Sequence, residues 1–246
     1  MKKQIIFSII LLFFISFTNA QWQQLTNGFY GGYIRSVATK GTTVFAGTSG
    51  GGIYASSNNG TNWTAINNGL INFYVNSIAT NTTNVFAGTN GGMFLSTNNG
   101  ANWSSINNGL SSGSCVTSII INGSDIYIST NNGVFLTTNN GAYWSDITND
   151  LPNTEVNCMS ICGTTLYAGT YYDSGIYTSA NNGTNWKKDT IGLPQIFFMS
   201  TTSFTVIGTK VFAGTNLGVF STENNSGSWT DINNGIDVNV LSLASS

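Results

Sequence analysis

Six tryptophans at one phase (Trp22, Trp63, Trp103, Trp144, Trp186 and Trp229) are spaced by 41, 40, 41, 42 and 43 residues. Each interval holds four short apolar runs, and Asn/Gly turns part the runs. Together these predict an all-β fold, a β-propeller of four-stranded antiparallel blades, with five blades complete and a partial sixth shared by the two termini. A period near 40 marks solenoids, propellers or arrays, and what fills the period decides among them. In residues 71–108 it is filled by YVNSIAT (Tyr74–Thr80), NVFAGT (Asn84–Thr89), GGMFLST (Gly91–Thr97) and NWSSIN (Asn102–Asn107). These runs are rich in Val, Ile, Phe, Tyr and Thr, which favour strands. Asn and Gly are too frequent for helices, and four short strands per period is the unit of a propeller blade.

The first element is residues 1–20. Lys2 and Lys3 precede an apolar run, Ile5–Phe17, and small Ala20 closes the segment, the three parts of a secretory signal peptide. The run falls short of the ~20 residues that span a bilayer. The expected mature domain is 21–246, secreted or held at the surface of a bacterium, with a periplasmic location also open, and with no membrane span.

The innermost strand of each blade is read at Tyr33–Thr39, Tyr74–Thr80, Cys115–Ile121, Val156–Cys162, around Thr201–Ile207, and at Val238–Ser245. A serine is read at a shared phase in each (Ser36, Ser77, Ser118, Ser160, Ser203, Ser242), small enough for a crowded central channel. The second strand is VFAGT from Val44, Val85 and Val211, with IYIST from Ile126 and LYAGT from Leu166 as variants. Between the third and fourth strands stands a recurring phrase: SSNNGTNW (Ser56–Trp63), STNNGANW (Ser96–Trp103), TTNNGAYW (Thr137–Trp144), SANNGTNW (Ser179–Trp186) and the longer STENNSGSW (Ser221–Trp229). A tight connection there requires φ > 0, which Asn-Gly supplies. Asn58, Asn98, Asn139 and Asn181 are expected to bond turn amides, Gly60, Gly100, Gly141 and Gly183 to complete the turn, and each tryptophan to bury its ring against the neighbouring sheet.

The phrase resembles the Asp-box, or BNR repeat, Ser/Thr-x-Asp-x-Gly-x-Thr-Trp, of sialidase-like propellers, sortilin-type receptors, xyloglucanases and photosystem II assembly-factor-like propellers. Asn replaces the box Asp in four copies, and Glu223-Asn224-Asn225-Ser226 adds a residue in the fifth. Asn still accepts the turn hydrogen bonds, but a metal held through box carboxylates is excluded. The resemblance implies architecture rather than activity. The chain opens inside a fourth strand, Trp22–Asn27, and closes just after an inner strand. The sixth blade therefore lacks two strands, about 25 residues by the repeat period, and the expectation is a chain truncated at its C-terminus.

Composition narrows the chemistry. Seven Lys+Arg against nine Asp+Glu, 7% charged residues and no histidine leave no basic footprint for nucleic acid. No cofactor or metal is expected, because the thiols are three, Cys115, Cys158 and Cys162, and histidine is absent. Cys158 and Cys162 on one strand stand ~13 Å apart, beyond the reach of a disulfide. The three arginines with which sialidases hold a substrate carboxylate are absent, since Arg35 is the sole arginine. A xyloglucanase-like glycoside hydrolase requires two facing carboxylates. Asp150, Glu155, Asp173 and Asp237 lie on the expected face, and Glu155 with Asp173 is the best pair. The same face carries aromatics in unlike loops. Tyr30, Phe73, Tyr171 and Tyr172 are the candidate binding residues, whereas Tyr33, Tyr74 and Phe198 are expected to pack between blades. The functional expectation is a non-catalytic scaffold that binds a protein or glycan at the propeller rim; the alternative is a hydrolase propeller.

Overall fold

The computed structural model describes residues 24, 27–152, 155–171, 175–194, 199–235 and 239–245. The signal peptide, Trp22, Tyr172, Asp173, Phe198 and Asp237 lie outside the described residues.

Five four-stranded antiparallel sheets follow one another along the chain. The first blade holds β1 (Ile34–Lys40), β2 (Thr43–Thr48), β3 (Ile53–Ser56) and β4 (Thr64–Ala65). The second holds β5 (Val75–Thr80), β6 (Val85–Thr89), β7 (Gly92–Ser96) and β8 (Ser104–Ser105). The third holds β9 (Val116–Asn122), β10 (Asp125–Thr130), β11 (Gly133–Thr137) and β12 (Ser145–Asp146). The fourth holds β13 (Val156–Cys162), β14 (Thr165–Thr170), β15 (Ile176–Ser179) and β16 (Lys187–Lys188). The fifth holds β17 (Thr201–Ile207), β18 (Lys210–Thr215), β19 (Gly218–Glu223) and β20 (Thr230–Asp231). The inner strands pack in series, β1 on β5, β5 on β9, β9 on β13 and β13 on β17. This is a β-propeller. The outer strand of each blade is shorter than the sequence suggests, two residues only.

The core is divided into four apolar clusters, each lodged between two neighbouring blades. Glycines set the spacing. Gly47 and Gly88 sit where a Cβ would come within 2.7 Å of Val75 Cγ1 and 2.5 Å of Val116 Cγ1. Each second strand thus lets the next blade's inner strand approach its backbone, the use of strand glycine expected from close packing. In the third blade Ser129 takes that place, its hydroxyl bonded to Thr117 Oγ1 at 2.8 Å.

The recurring phrase clasps the perimeter. In the second blade Ser96 Oγ accepts the Gly100 N–H at 2.8 Å and donates to Asn98 Oδ1, which itself accepts the Asn102 N–H at 2.9 Å. Asn99 and Gly100 have φ of 56° and 86°, the left-handed region that Asn and Gly tolerate best. Trp103, Trp144, Trp186 and Trp229 are buried. Their indole N–H groups donate to carbonyls of the preceding blade: Ile66, Ile106, Ile147 and Asp189. Trp63 is half-buried and meets Phe29 edge-on at 5.7 Å. The longer fifth copy folds back on the fourth blade, where Asn224 accepts from Tyr167 Oη and donates to the Cys162 carbonyl.

Both halves of the partial sixth blade leave marks. Val240 N–H donates to Thr215 O at 2.9 Å, Thr202 Oγ1 donates to Val240 O, and Val240 and Leu243 lie against Gly214. Residues 239–245 thus occupy an inner-strand position, although they form no regular strand. At the other end Asn27 O accepts the Trp63 N–H at 2.9 Å, as Asn68 O and Asn108 O accept those of Trp103 and Trp144.

One registration differs from the sequence reading. Ser36, Ser77 and Ser203 each pair with the glycine of VFAGT, but in the fourth blade Cys158 pairs with Gly169, and Ser160 pairs with Tyr167. Cys158, not Ser160, is the counterpart of the recurring serine. Cys115, Cys158 and Cys162 are all free thiols.

Candidate binding site at the mouth of the central channel

Every inner strand carries a β-bulge at the same place: between Ile34 and Ser36, Val75 and Ser77, Val116 and Ser118, Val156 and Cys158, and Thr201 and Ser203. A bulge leaves one residue unpaired and re-aims its side chain. Those residues are Arg35, Asn76, Thr117, Asn157 and Thr202. With Leu241 of the sixth position they line one cavity of about 680 Å³ at the end of the channel opposite the tryptophan hairpins; Tyr33, Tyr74, Asn90 and Cys115 also face it. The volume falls in the range of small-ligand sites.

Four of the bulge residues tie the ring together. Asn76 Nδ2 donates to Val116 O, Thr117 Oγ1 to Val156 O, Asn157 Nδ2 to Thr201 O and Thr202 Oγ1 to Val240 O. Each bond crosses from one blade to the next, so the wall is a held array of amides and hydroxyls rather than a set of free rotors. Asn76 also donates to Asn90 Oδ1 at 2.8 Å, and Cys115 Sγ donates to the same oxygen at 3.1 Å. Burial raises the Cys115 thiol pKa, opposed by the Asn76 bond and the Arg35 charge and reinforced by Glu155. Arg35 makes no hydrogen bond or salt bridge to any described residue, and among the described residues its guanidinium is the one cation on the cavity wall.

Of the residues singled out from sequence, Tyr30, Phe73 and Tyr171 are exposed on the mouth side. The Phe73 carbonyl accepts the Gly50 and Gly52 N–H groups at 3.0 Å, which fixes its loop on the first blade. Glu155 stands one residue before β13, the place held by Tyr33, Tyr74 and Cys115 in the first three blades. Its expected partner Asp173, like Tyr172, lies outside the described residues. Tyr33 and Tyr74, expected to pack between blades, are instead 85% and 52% exposed. They stand one residue before β1 and β5, Tyr74 bridged to Ser49 of the first blade, and both line the cavity. No group of three or more His, Cys, Asp or Glu among the described residues could hold a metal.

The bulge residues were missed from sequence. The signal that marks them is positional: each directly precedes the residue that pairs with the second strand's Gly or Ser. Their identities (Arg, Asn, Thr, Asn, Thr) share no type, so a search for a repeated residue passes over them.

Fold and mouth together define a β-propeller with a polar cavity at one end of its channel. The chain belongs to the family described as the DUF6242 β-propeller domain, which matches residues 74–235. Among solved structures it is similar to an ancestral GH74 enzyme, with a TM-score of 0.70 and 22% identity over 90% of this chain and 34% of that one. It is also similar to the extracellular domain of the one component system BT4673 from B. thetaiotaomicron, with a TM-score of 0.68 and 17% identity over 87% of this chain and 30% of that one. YCF48 bound to D1 peptide gives a TM-score of 0.61 and 12% identity over 83% of this chain and 68% of that one. At such identities the likeness is one of fold, and the chain spans about a third of the length of the first two. No curated protein matches. No helix among the described residues is long and apolar enough to cross a membrane.

Proposed function

We propose that the chain is an exported, non-catalytic β-propeller, with residues 1–20 as its signal peptide, that binds a glycan at the channel mouth. The observation that carries this is the juxtaposition of exposed Tyr33 and Tyr74 with the amides of Asn76, Asn90 and Asn157 around one cavity. Aromatic faces cover the apolar C–H face of a sugar ring, while fixed amides and hydroxyls meet its hydroxyl groups, the combination of apolar surface and few placed polar groups typical of ligand sites. Arg35 adds preference for a sugar that bears a carboxylate or sulfate. Tyr30, Phe73 and Tyr171 then extend the contact surface along the rim.

The test is a glycan array probed with residues 21–246, followed by calorimetry on the hits. Loss of binding in Tyr33→Ala and Tyr74→Ala, with unchanged thermal stability, is the expected result. Binding indifferent to both substitutions overturns the site. A second reading, a glycoside hydrolase, is favoured by Glu155 at the same rim. It predicts release of reducing sugar from a polysaccharide and its abolition by Glu155→Gln or Asp173→Asn.

A further inference from the structure

The junction between the fourth and fifth blades departs from the three before it at several residues at once. In the first three blades the carbonyl that accepts the next tryptophan's N–H belongs to an isoleucine, Ile66, Ile106 or Ile147. The side chain of that isoleucine lies under the next hairpin, against Gly100, Gly141 and Gly183 in turn. In the fourth blade the same carbonyl, bonded to Trp229, belongs to Asp189. The hairpin facing it is the longer fifth copy, in which Ser226 follows the left-handed Asn225. The outer strand beside it is Lys187-Lys188, where the other blades carry Thr-Ala, Ser-Ser, Ser-Asp and Thr-Asp. With a smaller side chain in place of isoleucine and a lengthened turn above it, this junction holds a cavity of about 390 Å³ at the hairpin end of the blades.

The cavity wall is charged. Lys187 and Lys188, two of the seven basic residues of the chain, line it. Asp189 lines it as well and is only 9% exposed. Burial raises the Asp189 carboxyl pKa and the Lys187 charge lowers it, so ammonium and carboxylate act on the same space. A buried carboxylate where three blades carry isoleucine is a cost to the fold, and the Trp229 N–H leaves most of its roughly four acceptor sites open.

We propose that this cavity is a binding site for a sugar acid, whose carboxylate is held by Lys187 and Lys188 while a neighbouring hydroxyl donates to Asp189. The lysines alone would accept any anion. Asp189 narrows the choice, because its charge repels a bare oxyanion and requires a hydrogen-bond donor beside the negative group. Trp186 and Ile191 supply apolar surface for the C–H face of a ring. No lining residue is shared with the mouth cavity, so this site and the glycan contacts proposed there can fail separately.

The test is isothermal calorimetry with galacturonate, galactose and sulfate as probes. It is run on residues 21–246 carrying Tyr33→Ala and Tyr74→Ala, which removes the aromatic contacts of the mouth. Saturable one-to-one binding of galacturonate is expected, with galactose and sulfate at least tenfold weaker. Asp189→Ile restores the residue of the first three blades, which keeps the fold intact. It should weaken galacturonate about tenfold or more, the worth of a hydrogen bond to a charged group. Lys187→Ser, at an exposed position, is a second variant with the same expected loss. Absence of saturable binding, sulfate or galactose bound as tightly as galacturonate, or binding indifferent to both Asp189→Ile and Lys187→Ser overturns the proposal.

Discussion

Gly88 offers the sharpest test of how the blades are spaced. A Cβ at this position would lie 2.5 Å from Val116 Cγ1 and 3.0 Å from Val116 Cβ, about 1 Å inside the usual ~3.5–4.0 Å carbon contact. Val116 is fully buried and β-branched, so its rotamer is hard to change, and the sheets themselves must part. Overpacking of this kind costs about 1–3 kcal/mol. A gain of roughly 0.4–1 kcal/mol from the stiffer unfolded chain offsets part of it, since Gly88 does not have a positive φ. Gly88→Ala should therefore destabilise by about 1–2 kcal/mol. Val116→Ala removes two buried methyl groups and leaves a small cavity, a loss of about 2 kcal/mol. In the double variant the new methyl fills the space that the valine vacates, so the total should stay near 2 kcal/mol, a favourable coupling of about 1–2 kcal/mol. Urea denaturation followed by tryptophan fluorescence gives all four stabilities. Additivity within about 0.5 kcal/mol would refute direct contact between the two positions.

Further consequences follow from other residues. Trp144→Phe removes the N–H that satisfies the Ile106 carbonyl and should destabilise by about 1–3 kcal/mol, with a smaller loss for Trp63→Phe at the half-buried counterpart; chemical denaturation distinguishes them. Burial raises the Asp189 carboxyl above its ordinary 3.8, with the Trp229 N–H and Lys187 pulling it part of the way back. The folded chain therefore holds this proton more tightly than the unfolded chain. The resulting stability is present at acid pH and lost as the pH climbs above 3.8 through the folded value. Asp189→Asn should thus raise Tm at pH 7 relative to the parent chain, with the difference shrinking toward pH 4. Burial also pushes up the pKa of Cys158 and Cys162, and both side chains are enclosed. Iodoacetamide at pH 8 should modify Cys115 first in the folded protein and all three in urea, as peptide mass mapping would show.

The blade plan was legible because backbone geometry is written in residue type. Asn59, Asn99, Asn140 and Asn182 sit at φ of 55–56°, a demand few side chains meet, and the repeated Asn-Asn-Gly announces it. The tryptophans were legible for a related reason: a large ring at a fixed phase must have a fixed pocket. What escaped depends on neighbours distant in sequence. Ser160 was taken for the recurring serine because it matches by type, yet the bulge at Asn157 sets the register, and Cys158 takes the position. Tyr33 and Tyr74 read as strand-edge packing residues, but their exposure follows from the radial arrangement of the inner strands, which no local pattern encodes. The same holds for Arg35, Asn76, Thr117, Asn157 and Thr202, which share a place on the channel wall but no single residue type.

Each inner strand from the second blade to the fifth is covered by the glycine, or in one case the serine, of its predecessor's second strand, whereas Ile34 and Val37 of the first blade are exposed. Methyl NMR of the folded chain in the presence of a soluble paramagnetic agent measures this directly. Strong broadening of the Ile34 and Val37 methyls, with those of Val75, Val116 and Val156 spared, is the predicted result. Equal protection of all five, or broadening of the Val75 and Val116 methyls, would contradict it.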